Sequence, residues 1–191
     1  MVDLALQCSC GKVKGVLQEG RTGTRVVCFC ADCQAFAHRL GKQGEILDAQ
    51  GGTDILQVLP SQIFITEGVE YLNCLRLSAK GIYRWYTRCC HTPVANTVSI
   101  KLPFVGLIHN FINGNKDLDS QLGPVRFYIH GRYALGERHN PRLHEKVPFT
   151  MLLRIIPKLM LAKIRGKGRP NPFYDAHGRA ISKPHIGVIE G

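Results

Sequence analysis

The sequence predicts a mainly β domain followed by a short, helical, basic C-terminal extension. Three observations carry that expectation. Short runs rich in β-branched and aromatic residues are separated by glycine-containing turns, and seven of the eight cysteines fall into three tight groups along them. The composition then changes after residue 136, where basic residues dominate an amphipathic stretch. The 191 residues suit one well-buried core better than two. The expected division is therefore a β domain over 1–136 and the basic extension over 137–191.

Taken in order, residues 12–17 and 25–29 read as short strands around the turn Gly20-Arg-Thr-Gly23. Residues 34–40 read as a helix. Gly51-Gly52 interrupts a loop running on to Ile63, placed beside the cysteines it would cover. Residues 63–66, 71–77 and 81–87 read as three more strands, with turns at Glu67-Gly68 and Ala79-Lys-Gly81. In the extension, 138–191 holds eleven basic against three acidic residues. Phe149, Leu152, Leu153, Ile156, Leu159, Met160 and Ile164 recur there at helical spacing, between Arg154, Lys158, Lys163 and Arg165. Pro157 predicts a kink, or two short helices.

Composition excludes several classes. With 45% hydrophobic residues the chain is not a disordered one, and its 20 glycines follow no collagen-like repeat. The best apolar stretch, 151–164, is interrupted by three cations and falls short of the roughly 20 residues a membrane span needs. A net charge of +11 favours an anionic partner or substrate. The start, Met-Val-Asp-Leu-Ala-Leu-Gln, lacks the basic and apolar regions of a secretory signal, so a cytoplasmic location is expected. Thiols are reduced there, and clustered cysteines are read first as metal ligands.

Cys8 and Cys10 form C-x-C, Cys28, Cys30 and Cys33 form C-x-C-x-x-C, and Cys89 and Cys90 are adjacent, with Cys74 alone in a strand. Zinc takes about four soft ligands in a tetrahedron, and closely spaced cysteines on a turn can deliver two or three. Three protein ligands with an exchangeable fourth position is the arrangement of catalytic zinc, which fits Cys28, Cys30 and Cys33. Cys8, Cys10 and Cys90 would form a more closed site. Cys89 stays open between ligand and core, because adjacent residues of an extended segment point to opposite faces.

Together, Cys8-Ser-Cys-Gly11, Cys28-Phe-Cys-Ala-Asp-Cys33 with its following helix, and Cys90-His-Thr-Pro-Val94 resemble the glutathione-dependent formaldehyde-activating (GFA) family over residues 6–136. The segments 111–119 and 125–134 are similar to the family's closing strands. The resemblance implies a zinc-containing β-tent of small antiparallel sheets, a fold shared with a Rab nucleotide-exchange factor. It also implies two zinc sites: a structural one at Cys8, Cys10 and the late cysteine pair, and a catalytic one at Cys28, Cys30 and Cys33. The chain departs from the pattern where the first cysteine of the late pair falls on Thr87 and the usual glycine on His91. The missing ligand is then Cys89, His91, Cys74 or water, or the site is empty.

The chemistry implied is that of a carbon–sulfur lyase. Zinc held by Cys28, Cys30 and Cys33 would turn a bound thiol such as glutathione into a thiolate for an aldehyde, the reverse step cleaving the adduct. Lys12, Lys14, Arg39 and Lys42 would attract glutathione's carboxylates, and His38 is a candidate proton carrier. Two other classes remain. One is a non-catalytic, zinc-stabilised binding module. The other is an adaptor whose extension meets a membrane surface or nucleic acid; Arg165-Gly-Lys-Gly-Arg169 suits phosphates, but no aromatic residues interleave with the cations to stack on bases. Oligomeric state is not legible in the sequence.

Overall fold

The computed structural model describes residues 3–113, 118–137 and 140–187. Two sheets form. The smaller joins β1 (Leu4–Gln7), β2 (Lys14–Leu17) and β5 (Ile63–Glu67) in the order β1-β2-β5, all antiparallel. The larger adds β3 (Thr24–Cys28), β4 (Thr53–Val58), β6 (Leu72–Arg76), β7 (Tyr83–Thr87), β8 (Pro93–Thr97), β9 (Val105–Ile108), β10 (Phe127–Ile129) and β11 (His185–Ile186). Its order is β10-β3-β4-β9-β8-β7-β6-β11, antiparallel except for the outermost pairs β10–β3 and β11–β6. The helices are α1 (Ala31–Arg39), α2 (Gln43–Ile46), α3 (Leu118–Leu122) and α4 (Phe149–Ile164). The chain is thus mainly β with few helices.

Strand alternation assigns the faces. On one face of the large sheet, Leu56, Val58, Trp85, Val105 and Leu107 pack against Leu4, Leu6, Leu17 and Ile63 of the small sheet and Val13 just before β2, which makes the main core. On the other, Leu75, Tyr86 and Ile108 meet Phe36, Ala37 and Leu40 of α1 and Ile46 of α2. Further along that face Val26, Ile55 and Ile129 meet Cys28, Cys33 and Met151 of α4. Phe173 and Tyr174, from beyond α4, return to the main core, where the Phe173 ring lies 5.0 Å from that of Trp85. Trp85 Nε1 donates to Thr97 Oγ1 at 2.9 Å, and the Tyr174 hydroxyl lies 2.9 Å from the same oxygen.

Some sequence expectations are corrected. The loop expected to cover the cysteines is β4, an interior strand; its Asp54 is neutralised by Arg25 of β3, a buried guanidinium that also meets Asp119 and the Gly123 carbonyl. Helix α4 is one element through Pro157 rather than two short helices, because at this exposed position the lost backbone bond does not end the helix. Of 111–119, residues 114–117 lie outside the described residues, and 109–111 make a 3-10 turn rather than a strand. Gly68 has φ +73°, and a Cβ there would stand 2.2 Å from the Lys12 carbonyl oxygen, so only glycine lets the β5 turn close over the loop after Cys10. No helix among the described residues is long and apolar enough to cross a membrane.

Candidate metal centres

Two groups of thiols come together: Cys8, Cys10, Cys89 and Cys90, and Cys28, Cys30 and Cys33, with the sulfurs of each group within 4.8 Å of one another. In the first, Sγ–Sγ distances are 3.6 Å (Cys8–Cys10), 4.0 Å (Cys8–Cys89), 3.4 Å (Cys10–Cys89) and 3.8 Å (Cys89–Cys90). A tetrahedron with metal–sulfur bonds of about 2.3 Å has edges of about 3.8 Å. A disulfide would need about 2.05 Å. The four thiols are therefore spaced as a metal ligand set.

Local backbone chemistry builds this group. Gly11, at φ +76°, closes the turn after β1 and donates its N–H to the Cys8 carbonyl. The Val13 amide donates to Cys8 Sγ at 3.2 Å. Between β7 and β8, His91 adopts φ +55° and its N–H returns to the Thr87 carbonyl. That turn bends Cys89 and Cys90 to one side, so the opposite-face argument for an extended segment does not apply. Thr87, which stands where a cysteine was expected, is a buried hydroxyl 3.2 Å from Cys90 Sγ; Thr92 Oγ1 sits at the same distance. Burial alone pushes the Cys90 thiol up, but the hydroxyls of Ser9, Thr87 and Thr92 outweigh it and bring it down to about 5. Burial pushes Cys89 up to about 12 and raises Cys8 as well. His91 lies outside the group, its ring edge on Tyr86, and Cys74 is a core residue of β6.

The second group sits at a strand-to-helix junction. Cys28 ends β3, Cys30 is the N-cap of α1 with its sulfur accepting from the Cys33 amide at 3.4 Å, and Cys33 lies in the first turn. Unpaired amides and the positive end of the helix dipole favour thiolates there. Cys28 and Cys33 donating to it pull the Cys30 thiol down to about 2, while its bonds to Cys30 and Cys33 drive Cys28 well up. Cys28 and Cys33 are buried and Cys30 is half-buried. Gln34 Nε2 donates to the carbonyls of Phe29 and Tyr133, which fixes the junction.

Beneath this group lies Arg84 of β7, which sequence reasoning missed. It is 2% exposed, with Nη1 3.9 Å from Cys33 Sγ and 3.3 Å from Asn96 Oδ1, Nη2 3.4 Å from Asp32, and the Phe36 ring over its guanidinium. Three thiolates on a divalent ion would leave one negative charge, and Arg84, which also pairs with Asp32, would stand beside it as a counterion. Only an arginine inside an otherwise buried strand, Tyr83-Arg-Trp-Tyr, hinted at it. Replacing Arg84 by Met is expected to weaken metal binding at Cys28, Cys30 and Cys33 by about 10- to 100-fold, measured by competition with a chromophoric chelator. The Cys8 group should keep its affinity, and equal losses at both groups would sink the counterion role.

The other expected helpers lie elsewhere. Lys14 pairs with Glu67 at 2.9 Å, Lys42 with Glu45 at 2.6 Å, and Lys12 lies over the Tyr71 ring. Arg39 and His38 are exposed at the far end of α1.

Fold and site together define a mainly β protein with two cysteine centres able to hold metal ions. The chain belongs to a family of unknown function, DUF6151, whose model matches residues 1–183. It is also similar to a crystal structure of a Rhodobacter sphaeroides protein, a structural-genomics target, at 18% identity and a TM-score of 0.41, covering 64% of this chain and 97% of that one. No curated protein matches the chain.

Proposed function

We propose that the protein binds two zinc ions and acts as a GFA-like carbon–sulfur lyase on an adduct of glutathione, or a similar thiol, with a small aldehyde. The observation that carries the reading is the inequality of the two groups: four thiols close one tetrahedron, while three leave the other a ligand short. The four-thiol group is then structural, on a fold of β-tent type, and Cys28, Cys30 and Cys33 hold the working ion. Zinc there would supply a thiol in the fourth position with a thiolate's nucleophilicity at neutral pH. The residues of the chain hold and tune that position. Cys30, the most accessible of the three, faces the approach, and Arg84 offsets the charge of the cluster.

A second reading, a zinc-stabilised binding module without turnover, is favoured by Met151 of α4, which packs in one apolar cluster with Cys28 and Cys33 and covers them from that side. Cobalt-substituted protein separates the two. A lyase should change its visible spectrum when glutathione is added, lose that response in Cys30→Ser, and cleave S-hydroxymethylglutathione. A spectrum indifferent to thiols, with no cleavage, leaves the binding module.

A further inference from the structure

Helix α4 carries two apolar faces, and only one is used. Met151 and Ala162 turn into the body of the protein. Phe149, Leu153, Ile156, Met160 and Ile164, spaced four, three, four and four residues apart, make a second stripe that is between 50% and 81% exposed. Such a run of large exposed side chains on one face marks an interaction surface. Its surroundings identify the partner. No acidic residue occurs between Glu145 and Asp175, whereas Arg154, Lys163, Arg165, Lys167 and Arg169 are exposed along α4 and the turn after it, Lys158 alone turning back to the Thr22 carbonyl. A second copy of the chain pairing on this stripe would bring two cationic helices together with no counter-charge. An anionic lipid surface offers both an apolar layer for the stripe and phosphates for the cations.

We infer that α4 lies flat in the headgroup region of an anionic bilayer, its stripe of Phe149, Leu153, Ile156, Met160 and Ile164 buried among the acyl chains and its cations on the phosphates. At 16 residues it suits the plane of the surface rather than a span. Arg154 and Lys163 are long enough to keep their charges at the headgroups. The inference is independent of what the cysteines bind.

Sedimentation of the full-length protein with vesicles tests it. The protein should pellet with vesicles of phosphatidylcholine and phosphatidylserine, stay in solution with phosphatidylcholine alone, and release as salt is raised. Met160→Ser with Ile164→Ser, both at exposed positions, should weaken partition roughly a hundredfold, with metal content and circular dichroism unchanged. If that variant misfolds, Arg165→Glu with Lys167→Glu should lose binding in its place. Absence of binding to the mixed vesicles, or binding that survives loss of the apolar pair, overturns the inference. So would a wild-type dimer that the apolar variant dissolves, which would give the stripe to a second copy.

Discussion

A Cys8→Ser variant is expected to purify with about one metal equivalent fewer than wild type and to melt roughly 10 °C or more lower. Cys8 is buried at the end of β1, and its sulfur is held by the Val13 amide, so serine there both removes a ligand and leaves a hydroxyl in a sulfur-shaped site. The group joins the β1–β2 turn to the β7–β8 turn, segments about 80 residues apart in the chain that are also linked by the Ser9–Thr92 hydrogen bonds and by apolar packing in the main core. Zinc held by thiolates contributes about 10–16 kcal/mol in small folds, comparable to the whole stability of a domain. Elemental mass spectrometry with thermal melting reads both effects. Chelator-treated wild type should melt like the variant, and metal-free wild type melting as high as the loaded protein would remove the metal from the account of stability.

Phe173→Ala should cost about 3–5 kcal/mol. The ring is fully buried and tilted against Trp85, so truncation leaves a cavity in the middle of the main core. Phe149→Ala changes the same residue type in the same C-terminal region, but at 70% exposure, and should fall within about 0.5 kcal/mol of wild type. Urea denaturation of the two variants side by side checks the contrast. Comparable losses would mean that Phe149 is covered in solution, and a small loss at Phe173 would mean that the segment after α4 does not close the core.

The readable part of the molecule is the part written in short-range pattern. Cysteine spacing located both thiol groups, alternation located β2, β3, β5, β6 and β7, and helical period located α4. What escaped depends on partners distant in sequence. In β4, Asp54 argues against a strand until Arg25 of β3 is placed beside it. In β8, Pro93 and Asn96 do the same, although Pro93 is the first residue of the strand and Asn96 accepts from Arg84. In β9, Gly106 looks like a break, yet it lies inside the strand, where a Cβ would come within 3.0 Å of the Ile55 Cγ2 methyl on β4. The place of Cys89 in the first group depends on the turn before β8, and its left-handed His91 is a residue type that gives no notice of it. Arg84 was hidden for the converse reason: a cation in an apolar strand has no meaning until the thiols it faces are known.

The return of Phe173 and Tyr174 to Trp85 has a bearing on how the chain is made. Synthesis runs from the N-terminus, so every cysteine of both thiol groups is available before the residues that close the main core have been added. While the nascent chain waits for those last aromatic residues, Trp85 and its neighbours have no lid, and a metal ion in the Cys8 group would already be able to tie the β1–β2 turn to the β7–β8 turn. Metal supply during translation would then decide whether the waiting intermediate keeps its shape or joins another chain through its open core.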